Sequence, residues 1–466
     1  MNFMGSWRIE WRLVARETTF RAAWLFVVLL IAAALWSGST FQQARDAQAE
    51  ASVSRSLEKR EQQKATFRAE ESGTTPQNPW WPSEPTRADW NAARPSGPLA
   101  GLTVGQEDLY PLSGPVSLWI TRPDTLFRKY QFDSPLVLAA GRFDATFVVL
   151  LLLPLLVLVL SYDLVAQESE TGRIRLMLAQ AGEAWRPLMR RFLLRLSPVV
   201  AALAGIAIFG LVLGWPVGRL ALWLLAATLY LALWAGGALW IGTLPYRRAA
   251  LAMIGLGAWL FVGVIAPGLV LGLSRALVPA PSSFALINEA RTAEGEANRR
   301  MFELLQIYVH DHPEMLDGKP TEDDWSAKLY LVQQEVTRAI ELLRTEHRSR
   351  IARQHELAER FRFLSPALLA QHVFATTAGS DAARQQSYVE QTEAFLRRWQ
   401  ETLSPLIFRR QRLTAADIDT LPCFEFREPA IAPGPVLFSL GAMLVVAIPL
   451  VRTARRRLQR TTTQLT

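Results

Sequence analysis

The sequence is poor in the residues that build covalent or metal-bound centres. Its 466 residues include a single cysteine, Cys423, which cannot form an intramolecular disulfide and leaves no cysteine cluster for zinc. The sequence also has no G-x-x-x-x-G-K-S/T loop to bind nucleotide phosphates, no H-E-x-x-H motif and no G-x-S-x-G motif. We therefore expect a protein that is not an enzyme, has no catalytic residues and binds no cofactor of its own.

Charged residues are missing from six long stretches, and half of all residues are apolar. A helix needs about 20 apolar residues to cross a bilayer core, where its backbone must be hydrogen-bonded internally. The stretches therefore predict six membrane-spanning helices in an all-α polytopic protein. The first stretch alone also fits a signal peptide, but no small-x-small cleavage pattern follows Trp36. The predicted spans are 22–37, 143–166, 192–215, 220–245, 249–273 and 429–451.

Arginine is concentrated in four of the segments outside these spans. Residues 1–21, 163–195, 247–248 and 452–466 hold 4, 6, 2 and 5 arginines, whereas the loop at 216–219 holds only one. Short basic segments stay in the cytoplasm, so both termini are predicted to be cytoplasmic, in a bacterial inner membrane. This placement explains the net charge of +8 without nucleic acid. The basic tail 452–466 either simply ends the last span or also contacts anionic lipid headgroups.

Two long segments, 38–140 and 275–428, fall on the extracytoplasmic side in this topology. Each is too long for a connecting loop and must have structure of its own. The first opens with Phe41–Glu71, which lacks Pro and Gly and is predicted to continue the helix of the first span. In the second, Thr321 is predicted to cap one helix, and Ile287–Val309 predicts another. Both insertions are thus expected to be mostly helical, and the sequence leaves open whether they form one domain.

Two stripes of largely apolar side chains recur at spacings of three and four in the second insertion. Such stripes usually bury one helix against another, which predicts a small helical bundle. The alternative is a substrate groove lined by the same aromatic side chains. The first stripe comprises Trp325, Leu329, Val332, Val336, Ile340 and Leu343, and the second comprises Tyr388, Thr392, Phe395, Trp399 and Leu403.

The same insertion holds all five histidines, at His310, His312, His347, His355 and His372. His310 and His312 flank an aspartate and suggest two imidazoles and a carboxylate for a metal ion. Alternate residues at a helix end diverge, however, and His347 and His355 lie on different helical faces. The pattern favours solvated or packed histidines, and no metal site is predicted.

The loop after the second span, 167–191, carries the strongest local pattern. It opens with acidic residues, breaks at a glycine and continues into a short helix whose apolar side chains share one face. Arginines flank this helix. The residues allow two interpretations, a rigid knob that docks into a protein groove or an amphipathic helix that lies on the bilayer. The residues concerned are Glu168, Glu170, Gly172, Arg173, Ile174, Met177 and Leu178.

The pattern Glu168-x-Glu170-x-Gly172, followed by an apolar helix directly after the second of six spans, resembles the signature of type-2 ATP-binding-cassette (ABC) exporter permeases. In that family a glycine-terminated acidic turn precedes the coupling helix that contacts the ATPase. The resemblance implies this role for the seven loop residues named above. The arginine-rich stretch Trp7–Phe20, within the cytoplasmic segment 1–21, resembles the family's elbow helix.

Three further stretches, Leu364 through Gly379, Phe395–Pro405 and Leu421-Pro422, resemble an uncharacterised branch of the family with large extracytoplasmic insertions. That branch lies near the gliding-motility and copper-maturation permeases. The resemblance implies a separate ABC ATPase subunit that binds the ATP, a second copy or homologous permease, membrane lipids around the spans and room for an envelope partner. Typical members have short external loops, so the substrate does not follow. The alternative is a membrane-anchored receptor or scaffold whose helical external domain binds a ligand.

Overall fold

The computed structural model describes residues 11–12, 14–73, 84–105, 107–118, 142–164, 185–279, 283–314, 320–321 and 323–463. The structure is 79% helical with almost no sheet, which confirms the predicted all-α class. In chain order the elements are α1 (Thr18–Glu71), β1 (Asp89–Ala93), β2 (Ser113–Ser117), α2 (Ala145–Ser161), α3 (Trp185–Arg195), α4 (Ser197–Val212), α5 (Val217–Gly242), α6 (Arg248–Leu277), α7 (Ser283–Arg299), α8 (Met301–Asp311), α9 (Trp325–Phe361), α10 (Pro366–Ala378), α11 (Ala382–Phe408), α12 (Ala415–Thr420) and α13 (Pro433–Thr463).

These elements form two parts, which we call the bundle and the head. The bundle consists of the first half of α1 with α2 to α6, α10 and α13. The head consists of the second half of α1 with β1, β2, α7 to α9, α11 and α12. Each part has its own hydrophobic core, and α1 runs through both.

The continuous helix α1 confirms that the first apolar stretch extends as a helix to Glu71. Its residues 22–44 lack charge, and its second half is rich in good helix formers. At Gly38 the helix touches the loop at Gly101, where an added Cβ would lie 1.9 Å from the carbonyl oxygen of Gly101. The side chain of Gln42 accepts a hydrogen bond from the Gly101 amide at 3.0 Å. This backbone contact fixes the helix against the loop that separates bundle from head.

Four of the described helices, α1, α5, α6 and α13, are long and apolar enough to cross a membrane. A fifth results if α3 and α4, which meet at a bend of 46°, form one span. Pro198 in the first turn of α4 explains the bend. Helix α2 is apolar but only about 25 Å long, short of the roughly 30 Å of a bilayer core. Several apolar helices are therefore established, whereas the count of six spans stays a prediction.

Helix α5 lies at the centre of the bundle. Its Trp223, Tyr230 and Trp234 are buried, and the helix packs against α2, α10 and α13. By contrast, the outward sides of α4, α6 and α13 expose large apolar side chains such as Val212 and Val445. Helix α13 also runs without interruption to Thr463, so the basic tail 452–466 begins as part of the last apolar helix rather than as a separate segment.

Helix α10 belongs to the second insertion but lies in the bundle. The side chain of Ser365 caps its start, and Gly379 ends it with a left-handed φ of 73°. Its Phe374 ring lies 4.6 Å from the ring of Trp223, and Val373 is fully buried in the bundle core. The sequence places this stretch in the helical insertion and does not separate it from the head helices.

The head core combines both insertions. Phe67, Trp90 and Val116 from the first segment pack in one cluster with Phe395 and Trp399 from the second. Strands β1 and β2 pair antiparallel in this part, a small exception to the helical expectation. All five residues of the second stripe are buried on α11, which confirms the packing interpretation over a substrate groove.

The first stripe is only partly confirmed. Val332, Val336 and Ile340 are fully buried, but Trp325 is exposed because the buried face of α9 turns toward the head core. The predicted cap at Thr321 is wrong. Helix α9 starts after Asp324, whose carboxylate is bonded to Thr321 and to an arginine and so caps no helix amide.

The prediction of one helix over Ile287–Val309 is also wrong. This segment forms α7 and α8, which are separated at Arg300, where the backbone leaves the helical conformation. Both helices still pack against α9, so the local bundle that the sequence predicts is present with one more element.

Candidate functional site

The seven residues predicted to contact an ATPase, Glu168, Glu170, Gly172, Arg173, Ile174, Met177 and Leu178, lie outside the described residues. The structure does describe both ends of their loop, at Leu164 after α2 and at Trp185 at the start of α3. We call the side chains of Leu164, Trp185, Leu188, Phe192 and Arg195 the loop base. The loop base is thus the part of the candidate site that the structure describes.

Arg195 ties three segments together at the loop base. Its Nη2 donates to both carboxylate oxygens of Glu17, at 3.2 and 3.3 Å, just before α1 begins. Its Nη1 lies 3.5 Å from Asp163 Oδ1 and 3.4 Å from the Leu160 carbonyl oxygen at the end of α2. The Arg195 side chain is only 11% exposed, so these charge-assisted bonds are partly shielded from water. A displacement of the loop is therefore shared by α1, α2 and α3.

The loop base also has an apolar core. Leu164, Leu188 and Phe192 are buried together with Leu239 of α5 and Leu458 of α13. This contact joins the loop to the central helix of the bundle and to the last helix. Since interiors are close-packed, the loop base and the ends of these helices form one mechanical unit.

Arginines and tryptophans surround the loop base. The guanidinium of Arg455 lies 5.9 Å from the centre of the Trp185 ring, and that of Arg457 lies 5.1 Å from the Trp240 ring. Arg452 and Arg456 are exposed on the same end of α13. The arrangement presents positive charge around the loop, which favours an acidic protein surface or anionic headgroups as its neighbour.

A second polar cluster connects the head to the bundle. Glu107 is 1% exposed and accepts hydrogen bonds from Arg94 at 3.1 Å, Arg384 at 2.8 Å and Arg45 at 3.4 Å. Arg384 also holds Glu428 through its Nε at 2.9 and 3.1 Å. We call these five residues the junction network.

The junction network joins elements that are distant in sequence. Arg45 belongs to α1, Arg384 to α11, and Glu428 lies shortly before α13. Arg219 of α5 extends the network, with its Nη1 3.5 Å from Glu428. The first insertion, the second insertion and the central helix of the bundle are thus linked by ion pairs around a single buried carboxylate.

Burial affects the pKa of two arginines in this network. It lowers the pKa of Arg45 and of Arg94, while the negative charge of Glu107 acts in the opposite direction. Arginine nevertheless remains charged in proteins, so the three guanidinium groups of the network are permanent charges. Buried ion pairs repay their desolvation only when geometry is good, but removing one partner leaves an uncompensated charge.

The sequence did not reveal the junction network, because its partners lie up to 277 residues apart. A single sequence offers no signal for such pairing. The histidines remain dispersed, with His372 Nδ1 3.4 Å from Glu359 and the ring of His312 stacked on Tyr308 at 4.4 Å. Within the described ranges, no group of three or more His, Cys, Asp or Glu side chains is arranged to hold a metal ion.

Comparison with known proteins identifies one region. A family model described as "Domain of unknown function (DUF3526)" matches residues 283–427, and no curated protein or solved structure matches the chain. The matched region begins with α7 and ends before α13, and it includes the buried helix α10. It covers less than a third of the sequence, so the chain is similar to this family in the second insertion, which contributes most of the head and one helix of the bundle.

Proposed function

We propose that this chain is the transmembrane permease subunit of an ABC-type exporter and that a separate ATPase subunit supplies the energy. The bundle would cross a bacterial inner membrane six times, with both termini cytoplasmic and the head outside the cytoplasm. The loop at 167–191 would be the coupling segment that meets the ATPase. Two permease copies, or one copy and a homologous permease, would enclose the transport path.

The loop base is the observation that carries this proposal. A coupling loop must pass force to several spans at once, and Arg195 connects the loop ends to α1 and α2. The apolar contacts of Leu188 and Phe192 extend this connection to α5 and α13. The arginines around the loop supply charge complementarity to an acidic partner surface. An amphipathic helix lying passively on a bilayer would not need such connections.

In the proposed cycle, ATP binding draws two ATPase subunits together and displaces the loop. The loop base would move with it, because its apolar contacts are buried and its charged contacts are partly shielded from water. Helix α1 and the junction network would carry the displacement into the head. The work would be done either on an exported substrate or on an envelope partner that binds the head.

Affinity purification of the full-length chain from native membranes tests the proposal. We expect an ATP-binding subunit to co-purify with the wild type. Glu170→Lys should lower its yield at least fivefold, because the lysine would be repelled by the arginines that flank the loop and would disturb the coupling segment. Arg195→Gln should preserve the complex but uncouple ATP hydrolysis from transport in nanodiscs.

Arg338→Gln in the head is the matched control, since this side chain is exposed and its ion-pair partner, Glu335, lies three residues away within the same helix. It should change neither yield nor activity. Recovery of no ATPase with the wild type would contradict the exporter proposal and favour the alternative, a membrane-anchored receptor or scaffold with a ligand-binding head.

A further inference from the structure

A cavity of about 280 Å³ lies where α2, α6 and α10 meet beneath the head. It is separate from the loop base, which lies at the opposite end of α2. Ligand sites in proteins usually have volumes of about 300–1,000 Å³, and this cavity, just below that range, has room for part of a small amphiphile. Its position is unusual because α2 and α6, the two long helices that line it, each contain a π-helical segment.

The π-helical segments are Val148–Leu152 in α2 and Phe261–Ile265 in α6. Such segments widen a helix and free backbone carbonyls, and they often occur at functional sites. Here side chains satisfy the carbonyls: Trp259 Nε1 donates to Leu151 at 2.9 Å, and Ser365 Oγ donates to Val262 at 3.1 Å. The widened walls are thus held in place by specific donors.

The cavity has one polar end and one apolar end. At the polar end, Arg142 lies 3.5 Å from Asp108, and Asp144 accepts hydrogen bonds from the amides of Val104 at 2.8 Å and Phe147 at 2.7 Å. These contacts fix one guanidinium and one carboxylate next to the space. The apolar end is lined by Leu150, Leu151, Gly263, Pro267, Ala367 and Leu368.

The apolar end adjoins the outer surface of α6. Only 17% of the most apolar 18-residue stretch of this helix is buried. Val264, Ile265 and Leu269 are exposed next to the lining residues. In the proposed membrane orientation this surface faces acyl chains. A ligand that enters from there keeps its chain in an apolar environment and places its head among the polar groups.

We propose that the cavity binds the headgroup and the adjoining acyl segment of a zwitterionic phospholipid of the phosphoethanolamine type. The phosphate would face Arg142 and the ammonium group would face Asp144, since these two side chains carry the charges that line the cavity. The rest of the acyl chain would lie along α6. This inference rests on the proposed membrane orientation and is independent of ATPase coupling.

Photolabelling of the full-length protein in nanodiscs tests the inference. The probe is phosphatidylethanolamine with a diazirine in the proximal acyl chain, and the labelled peptides are mapped by mass spectrometry. We expect labelling to concentrate on 142–152 and 366–371. Gly263→Trp fills the cavity, because an added Cβ there already lies 3.4 Å from Leu151, and should lower this labelling at least fivefold.

Gly268→Trp is the matched control, since an added Cβ at this glycine meets no atom within 4 Å. It should retain the labelling.

Leu368→Trp fills the same space from α10 and provides a second test if Gly263→Trp does not fold. Labelling that spreads along α6 and is insensitive to both filling variants overturns the proposal. Equal labelling by a phosphatidylglycerol probe overturns the headgroup assignment. Co-purification of an ATPase is measured in the same samples, so failure here is distinguishable from failure of the exporter proposal.

Discussion

The bundle and the head have hydrophobic cores of similar kind but opposite outer surfaces. On the bundle, Val212, Met253 and Val445 are each more than two-thirds exposed. On the head, exposed positions carry ion pairs such as Arg300 with Glu303. Apolar surface left in water forfeits about 25 cal/mol per Å², so the head surface suits water and the bundle surface suits hydrocarbon. The difference indicates that apolar burial, close packing and hydrogen bonds contribute in different proportions to the stability of the two parts.

In water, apolar burial drives the folding of the head. In a membrane, helices have no such drive to associate, and close packing with internal hydrogen bonds replaces it. The bundle fits this description, since Tyr230 donates to the Leu150 carbonyl oxygen at 3.0 Å and Trp223 donates to Thr103 at 2.9 Å. Where the two environments meet, the junction network holds the parts together with charge.

The largest expected effect comes from removing the centre of this network. Glu107→Ala leaves three arginines without their common acceptor and should destabilise the protein by about 3–5 kcal/mol. Chemical unfolding in detergent, followed by tryptophan fluorescence, measures the change. Glu346→Ala is the control, because Glu346 is half-exposed and its ion-pair partner, Arg350, lies one turn away in the same helix. Equal effects of the two substitutions would show that the network does not join head and bundle.

An intermediate effect is expected at Asp324, within the head. Burial alone raises the pKa of this carboxyl, but hydrogen bonds from Arg410 and Thr321 outweigh burial and lower it. Arg410 has a left-handed φ of 55°, a backbone conformation that costs about 1–2 kcal/mol. Its ion pair with Asp324 helps to stabilise this conformation. Asp324→Asn should therefore destabilise the head by about 1.5–3 kcal/mol at pH 7.

The pH dependence of this effect has a definite sign. A lowered pKa contributes stability above the unfolded value of about 3.9, and this contribution is lost as the pH falls through the folded value. The difference between wild type and Asp324→Asn should accordingly be full at pH 7 and shrink below about pH 4. Unfolding of both proteins across this range measures it, with the exposed neighbour Asp323→Asn as control. A difference that does not change with pH would contradict the ion-pair explanation.

The smallest expected effect comes from replacing a valine by alanine, once in the head and once in the bundle. Val336→Ala, in the small apolar cluster between α7 and α9 of the head, removes two buried methyl groups and should cost about 1.5 kcal/mol. Val445→Ala on the outer face of the bundle removes exposed groups and should be close to neutral in a bilayer. Unfolding in nanodiscs measures both. A larger cost at Val445 would mean that another protein chain, rather than lipid, covers this face.

The sequence predicts the parts of the fold that follow from local patterns. The six apolar stretches, the extension of α1 to Glu71 and the buried face of α11 all come from composition or helical spacing. Helix ends are less predictable. The start of α9 depends on Asp324, whose side chain is taken by Arg410 86 residues away. No local pattern contains that information.

The candidate site is predictable to a lesser degree. The acidic turn around Gly172 is a local motif, and its role rests on resemblance. The loop base and the junction network require tertiary contacts between distant segments, as with Arg195 and Glu17. Helix α10 shows the same limit, because its apolar sequence fits a head core as well as a bundle. Its location is decided by the space beside Trp223.

The unbroken length of α1 has a consequence for motion. With 54 residues at about 1.5 Å each, the helix is about 80 Å long, and its start is tied to the loop base through Glu17. A rod of this length acts as a lever: with a pivot at Gly38, which lies 33 residues or about 50 Å from the end at Glu71, a tilt of about 5° displaces that end by about 4 Å. The contact at Gly38 is the natural fulcrum, since backbone meets backbone there without a compressible side chain between them. A small rotation at the loop thus becomes a large stroke at the tip of the head.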